Sequence, residues 1–485
     1  MGKKIKYYLL LSAIILLGFV VRLYRIDFPL ADWHSWRQVD TAGVTREFVK
    51  NGIDLLHPKY MDLSSIPSGK DNPFGWRMVE LPFINGLVAA IIQSLGGLNA
   101  VGGLEGLVKI ERLTSIIFSL GSIWLLYLIV NKFNGRQTAI LAAAVLTFLP
   151  FNIYYSRTVL PEPKLMFFSL LASWGMIGFI FEGRLLMWFV GVTASIGAVL
   201  LKPVWLFIYG PALFYLSIVK FQFNLRKWWW LFTAAIITFL PFILWRLWIQ
   251  QFPEGIPASA WLFNGDGIRF RPAWFRWLFM DRLGRLILGY WGLFLFGLGW
   301  IVKHSKKEGW FFDWWGFGSL AYLIIIATGN IRHDYYQSIL APVVAVFVAK
   351  GMYFLISIPK EYFSKSASYG FLAIGTVFML GFSWFQIRDY FNINHPEIIE
   401  AGLAADKILP ADARIVAPYG GDTAFLFQVN RLGWPLGGAI DDKISKGATH
   451  YISVNFDEET NGLMDKCQSL LKTDKYVIID LKACK

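Results

Sequence analysis

Along the chain, long apolar runs alternate with short basic or polar connections until about residue 387, where the texture changes. Runs such as 8-YLLLSAIILLGFVV-21, 140-ILAAAVLTFLP-150 and 371-FLAIGTVFMLGF-382 hold no charge at all. A hydrocarbon core of about 30 Å is crossed by roughly 20 mostly apolar helical residues. That length predicts eleven membrane-spanning helices, near 7–25, 109–131, 137–155, 164–182, 185–201, 203–219, 228–249, 283–302, 313–329, 336–357 and 369–386. A further apolar segment, 81–98 (LPFINGLVAAIIQSLGGL), is the candidate for a twelfth.

Past residue 387 the pattern shortens. Residues 396–409 (PEIIEAGLAADKIL) and 457–472 have helical spacing, whereas 413-ARIVAP-418, 449-THYISV-454 and 475-KYVIID-480 read as strands. The predicted fold class is therefore an all-α polytopic membrane domain with interfacial helices and a small C-terminal α/β domain. The expected division is a membrane domain over 1–390, carrying long loops at 27–108 and 250–282, and an α/β domain over 391–485.

Charge decides orientation and the status of 81–98. Lys and Arg in short loops mark the cytoplasmic side. With the N-terminus inside and 81–98 not crossing, that side collects Lys3, Lys4, Lys6, Lys132, Arg136, Arg184, Lys220, Arg226, Lys227, Lys303, Lys306, Lys307, Lys360 and Lys365. The short outer connections keep only Arg157, Lys202 and Arg332. A crossing at 81–98 would reverse this bias, so 81–98 is expected to lie in the interface. Both long loops and the C-terminal domain then fall on the outer face.

Composition changes the picture only a little. The chain is 56% hydrophobic and 16% charged, against roughly 45–50% and about 25% in soluble domains, which excludes a soluble multidomain enzyme. The 22 Trp and 20 Tyr suit aromatic belts at the membrane surface. The net charge of +13 belongs to the basic inner loops, and no nucleic-acid partner is inferred from it. The first apolar run is too long for a signal peptide and has no small-residue cleavage site, so it reads as a retained helix. Cys467 and Cys484 are the only cysteines; one bridge between them fits an oxidising compartment.

The candidate chemistry gathers on the outer face. The segment 27-DFPLADWHSWRQVDTAGVTREF-48 sets Asp32, His34, Arg37 and Asp40 within nine residues, with Ser35 as expected N-cap of a helix. Asp32 and Asp40 suit a general base or a metal ligand; the alternative is a capping carboxylate on a solvated surface. Glu162 stands between two prolines in 156-SRTVLPEPK-164, where an acid beside hydrocarbon needs a partner; Arg157 and a bound cation are the candidates. Lys202, on the side where lysine is scarce, suggests an anion. Arg332, His333, Tyr335 and Tyr336 cluster where a lipid phosphate would lie, and the planar donors of Arg suit that group. Arg269, Arg271, Arg276 and Arg282 add cations. A glycine pair before Asp422 and Thr423 reads as a turn, with ligand binding as the less favoured option. No phosphate-cradling Gly-rich loop and no zinc-spaced His/Cys cluster is present, which argues against a nucleotide-driven pump or a zinc hydrolase.

Read in order, the landmarks DWHSWRQVDTA, ELP at 80–82, ERLTS at 111–115, SRTVLPEPKLMFF at 156–168, LLKP at 200–203 and RHDYYQ at 332–337 resemble the glycosyltransferase-C superfamily. The resemblance covers about residues 1–390 and is nearest to bacterial relatives of protein O-mannosyltransferases and of the lipid A aminoarabinose transferase. It implies an inverting hexosyl- or pentosyltransferase that moves a sugar from a polyprenyl-phosphate donor to an extracytoplasmic hydroxyl, with protein, lipid and wall glycan as open acceptor classes. It implies a bacterial plasma membrane, with the active face and the C-terminal domain extracytoplasmic. Asp32 is the implied base and Asp40 the runner-up, although Trp33 stands where relatives carry a second acid. A divalent cation (magnesium or manganese, with zinc or calcium as alternatives) is implied near Asp32 and Glu162. Arg157, Lys202, Arg332, His333, Tyr335 and Tyr336 are implied to bind the carrier phosphate, and His34, Arg37 and Glu80 to form the substrate loop. A transporter or flippase of lipid-linked saccharide is the alternative; it is disfavoured because no internal repeat is visible and the ionisable residues gather at one surface.

Overall fold

A computed structural model describes residues 2–304 and 306–484; the side chains of Lys3 and Lys4, counted above among the inner cations, lie outside the described set. The chain divides into two compact units. One comprises 1–24, 113–245 and 259–389, and the other 25–112, 246–258 and 390–485. The first long loop falls in the second unit, whereas the loop 250–282 is shared between the two.

The first unit is helical. Among the described residues, six helices are long and apolar enough to cross a membrane, or seven if Pro272–Ile287 and Gly292–Ile301, bent by 113°, form one span. The chain is a multi-pass membrane protein. Further predicted spans also stand as helices. Gly103–Phe148 runs for 46 residues, about 70 Å if straight, and is broken at Gly135, whose φ of 78° and ψ of 174° lie outside the helical region. The predicted spans 109–131 and 137–155 fall on either side of that break. Leu185–Leu201 and Trp205–Phe221 have 17 residues each, about 25 Å, at the short end of the spanning range. Gly175 and Gly191 bring Glu162–Glu182 and Leu185–Leu201 together so closely that a Cβ on either would strike the facing helix, as small residues do in membrane packing. Arg22, fully buried at the end of helix Gly2–Arg22, donates through Nε to Ser156 Oγ (2.6 Å) and through Nη1 to the carbonyls of Gly18 (2.9 Å) and Thr147 (3.2 Å).

The second unit is built on a five-stranded sheet: β1 (Arg414–Val416), β2 (Leu432–Trp434), β3 (His450–Ser453), β4 (Cys467–Lys472) and β5 (Val477–Cys484) in the order β2-β1-β3-β5-β4. β1 runs parallel to β2 and β3, and β5 antiparallel to β3 and β4. Helix Pro396–Ile408 and three strands stand where the pattern placed them. The expected helix 457–472 ends at Lys466, and its remainder is β4. The reason is covalent: Cys467 is bonded to Cys484 and paired with it in register, which draws 467–472 onto β5. The outer edge of β2 is covered by the first loop, where Leu63 N–H donates to Gly433 O (2.8 Å) and Gly433 N–H to Met61 O (2.9 Å). Leu63 is thereby placed among Val416, Trp434, Tyr451, Val477 and Ile479 in the core. The segment 81–98 forms helix Phe83–Ser94, 12 residues and about 18 Å, too short to cross. It buries Ile84, Val88, Ala89 and Ile92 and exposes Leu87 and Ile91.

This packing puts three carboxylates near one another. Asp40, Asp62 and Asp422 share the second unit, and burial pushes Asp62 and Asp422 up to about 6; the charge of Asp40 raises both further, while hydrogen bonds from Ser64 and Ala424 pull them back. The folded state therefore binds more protons than the unfolded chain between about pH 4 and 6, so stability falls as pH rises through that window. Asp62→Asn is expected to raise the unfolding temperature at pH 7.5, by up to about 3 kcal/mol in stability, and to do nothing at pH 4. An unchanged pH profile in the variant would show that Asp62 stays ionised. Replacing both cysteines (C467A/C484A) is expected to cost about 3 kcal/mol, read as faster amide exchange confined to β4 and β5; exchange at the native rate would contradict a stapled edge.

Candidate functional site

In the second unit the site residues stand on and around helix Ser35–Asn51. The expected cap Ser35 is instead the first helical residue, and His34 occupies the cap position in a left-handed conformation with φ 55°. Most of this helix is buried although its sequence is polar, and Arg37, Gln38, Asp40, Thr45, Arg46 and Glu47 are all withdrawn from water. Buried charges of this kind persist only when paired. Arg37 Nη2 meets Glu80 Oε1 at 2.5 Å, so two of the expected loop residues form one pair. Asp40 is answered by Arg77 Nη2 at 2.8 Å and accepts from Thr423 Oγ1 at 2.7 Å. Glu111 accepts from Thr45 Oγ1.

Asp32 is held differently. Its Oδ1 accepts from Gln38 Nε2 at 2.8 Å, and its Oδ2 lies 3.4 Å from Arg112 Nη2. The other terminal nitrogen of Arg112, Nη1, donates to the carbonyls of Ile26 and Phe28. Next to it, Trp33 stacks on Tyr390 at 4.8 Å, and its N–H donates to the Tyr390 carbonyl at 3.1 Å. Asp40, by contrast, sits in a close ion pair with Arg77.

In the first unit, Glu162 opens helix Glu162–Glu182 and is 2% exposed. Its Oε1 accepts from Lys202 Nζ, while its Oε2 is buried without a hydrogen-bond partner among the described residues. Lys202 follows directly on helix Leu185–Leu201. Its ammonium lies 5.5 Å from the ring centre of Tyr335 and 4.7 Å from that of Tyr336, and His333 stacks against Tyr335 at 5.3 Å. The fold therefore gathers Glu162, Lys202, His333, Tyr335 and Tyr336. It directs two other expected cations elsewhere: Arg157 donates to the Tyr24 carbonyl, and exposed Arg332 grips Asp266 through Nε (2.9 Å) and Nη2 (2.5 Å) with Trp261 beneath it. Arg282 likewise turns to Asp281 and the Ile331 carbonyl.

Among the described residues, no group of three or more His, Cys, Asp or Glu is arranged to hold a metal ion. The donors expected to share a divalent cation are answered by protein cations instead, Glu162 by Lys202 and Asp32 by Arg112, and as they stand they do not fit one. The site residues to which sequence reasoning gave no role are Gln38, Arg77, Glu111 and Arg112, while Thr423 stood there only in a turn. Only the ERLTS run, two opposite charges within an apolar stretch, offered a signal.

Residues 106–245 match the family described as dolichyl-phosphate-mannose-protein mannosyltransferase. No protein of curated function matches the chain in sequence. Among solved structures, ArnT from Cupriavidus metallidurans, determined with undecaprenyl phosphate bound, shares the fold at a TM-score of 0.66 and 12% identity over 98% of this chain and 98% of its own. The oligosaccharyltransferase of Archaeoglobus fulgidus, determined with zinc and sulfate, matches at a TM-score of 0.57 and 12% identity over 91% of this chain and 67% of that one. Residues 106–245 thus match that mannosyltransferase family, and along nearly its whole length the chain shares the fold of ArnT.

Proposed function

We propose that the chain transfers a sugar from a polyprenyl-phosphate carrier to an acceptor hydroxyl outside the cytoplasm of a bacterial cell. The observation that carries this reading is Lys202: a lysine at the mouth of a membrane helix, its ammonium set between a buried carboxylate and two phenol rings, with its side chain 19% exposed. A cation fixed in that way suits a lipid phosphate arriving along the membrane surface. The family match and the undecaprenyl phosphate bound by the ArnT structure support the same assignment.

Asp32 is the proposed base, on its place in the first loop of the resemblance and with its carboxylate accepting from the Gln38 amide, and Asp40, tied to Arg77, is the runner-up. In the proposed step Asp32 takes the proton of the acceptor hydroxyl as that oxygen bonds to the anomeric carbon from the face opposite the phosphate. The bond from that carbon to the phosphate oxygen breaks, and the electron pair leaves with the polyprenyl phosphate. A phosphate leaving group of this kind is the anion that Lys202, flanked by Tyr335 and Tyr336, suits. Arg37 and Glu80 hold helix Ser35–Asn51 to the segment before helix Phe83–Ser94 and so fix the approach to Asp32. The proposed topology has eleven crossings, the N-terminus inside, and the disulfide-closed sheet outside, in keeping with where such bonds persist.

With purified protein and a panel of synthetic polyprenyl-phosphate sugars, Asp32→Asn is expected to lower turnover by about 10²- to 10⁴-fold, while Asp40→Asn stays within about tenfold of the parent. Near-normal turnover by the Asp32 variant would move the base to another residue. Lys202→Gln is expected to raise KM for the donor by about 10- to 100-fold and to abolish thermal protection by polyprenyl phosphate; protection at the parent level would remove Lys202 from the phosphate site.

A further inference from the structure

A second feature of the first unit lies away from these residues. A groove of about 680 Å³ opens between helices Glu162–Glu182, Leu185–Leu201, Trp205–Phe221, Leu225–Trp248 and Phe311–Ile325. Its volume is that of a small-molecule site. Two internal prolines, Pro211 and Pro241, explain why the flanking helices part here, since each removes a backbone hydrogen bond and bends its helix. Small residues widen the gap: Gly210, Ala234 and Ala235 line it beside Leu206, Phe214 and Ile218. Both serine hydroxyls in its wall are already spent, Ser195 Oγ on the Gly191 carbonyl (2.7 Å) and Ser217 Oγ on that of Leu213 (2.8 Å). A surface of this kind within spanning helices offers nothing to water, so its occupant is hydrocarbon.

One end of the groove is charged. Trp205–Phe221 ends with Lys220, and Leu225–Trp248 begins with exposed Arg226 and Lys227 after a turn of three residues. Lys220 is paired with Glu308 at 2.5 Å. Arg226 and Lys227 have no carboxylate partner among the described ion pairs. Aromatic residues mark this end as a membrane–water boundary: Tyr215, in the groove wall, stacks on Trp314 at 5.7 Å and donates from its hydroxyl to the Lys307 carbonyl at 3.1 Å, and Trp229 is exposed. The 17 residues of Trp205–Phe221 set this basic mouth about 25 Å along the chain's path from Lys202, so it is a separate site from the one above.

We propose that the groove holds a hydrocarbon chain of an anionic phospholipid, with the lipid phosphate on Arg226 and Lys227. An apolar slot that ends beside two unanswered cations at the interface complements a lipid with a negative head, and each such cation contributes to holding an anionic surface. The test uses the full-length protein in nanodiscs doped with phosphatidylglycerol or phosphatidylcholine carrying a photoreactive group on one acyl chain, with labelled peptides mapped by mass spectrometry. The expected result is phosphatidylglycerol labelling within 206–218 and 231–239, cut about tenfold by R226A/K227A and also by Ala235→Trp, which fills the groove from an exposed position. Equal labelling by phosphatidylcholine, or labelling that survives R226A/K227A, would reduce the groove to general lipid contact and overturn the proposal. Displacement of the label by polyprenyl phosphate but not by unlabelled phosphatidylglycerol would overturn it in favour of the carrier. Turnover of the R226A/K227A protein bears on neither outcome, so failure here leaves the assignment of Lys202 untouched.

Discussion

A charged side chain beside hydrocarbon has to bring its partner with it, and that requirement organises both units. In the first unit Glu162 sits at the start of a membrane helix and is tolerable there because Lys202 reaches it. The pairing in turn decides where the connection after Leu185–Leu201 must pass, and it holds the lysine against Tyr335 and Tyr336. A geometry suited to an anion is thus a by-product of solving a burial problem. Arg22 is settled in the same way by carbonyls and a serine, with no function needed to explain it.

In the second unit the same constraint acts on helix Ser35–Asn51. A helix with this little apolar surface is not held by a hydrophobic stripe. It is held by what its polar side chains find: Glu80 for Arg37, Arg77 and Thr423 for Asp40, Glu111 for Thr45. Each contact takes a different stretch of chain, so the helix is the point where the first loop and the C-terminal segment are tied together. Removing one member leaves its partner buried and uncompensated, which costs far more than the pair itself contributes.

The spanning runs were legible because hydrophobic length is a local property. Leu185–Leu201 and Trp205–Phe221 begin and end within two residues of where their apolar runs suggest. What failed was non-local. Nothing near residue 470 distinguishes a helix from β4; the bond between Cys467 and Cys484 decides it. The partners of Asp32 and Asp40 are Arg112, Arg77 and Thr423, and no spacing rule reaches so far along a chain. Asp266, which binds Arg332 through its Nε and Nη2, is likewise a partner that no local pattern pointed to.

The tie between Asp40 and Thr423 spans 383 residues. At about 5–20 residues per second of synthesis, the second partner follows the first by roughly 20–80 s. For that interval the segment around Met61–Leu63 has no β2 edge to lie on, and the helix that carries Asp40 lacks one of its anchors. The second unit is therefore completed late, after most of the chain has already been made. Until then its first loop is a half-built surface with an unpaired strand edge and buried-type charges open to water, and this is the period in which a folding helper or a quality-control protease has most to act upon.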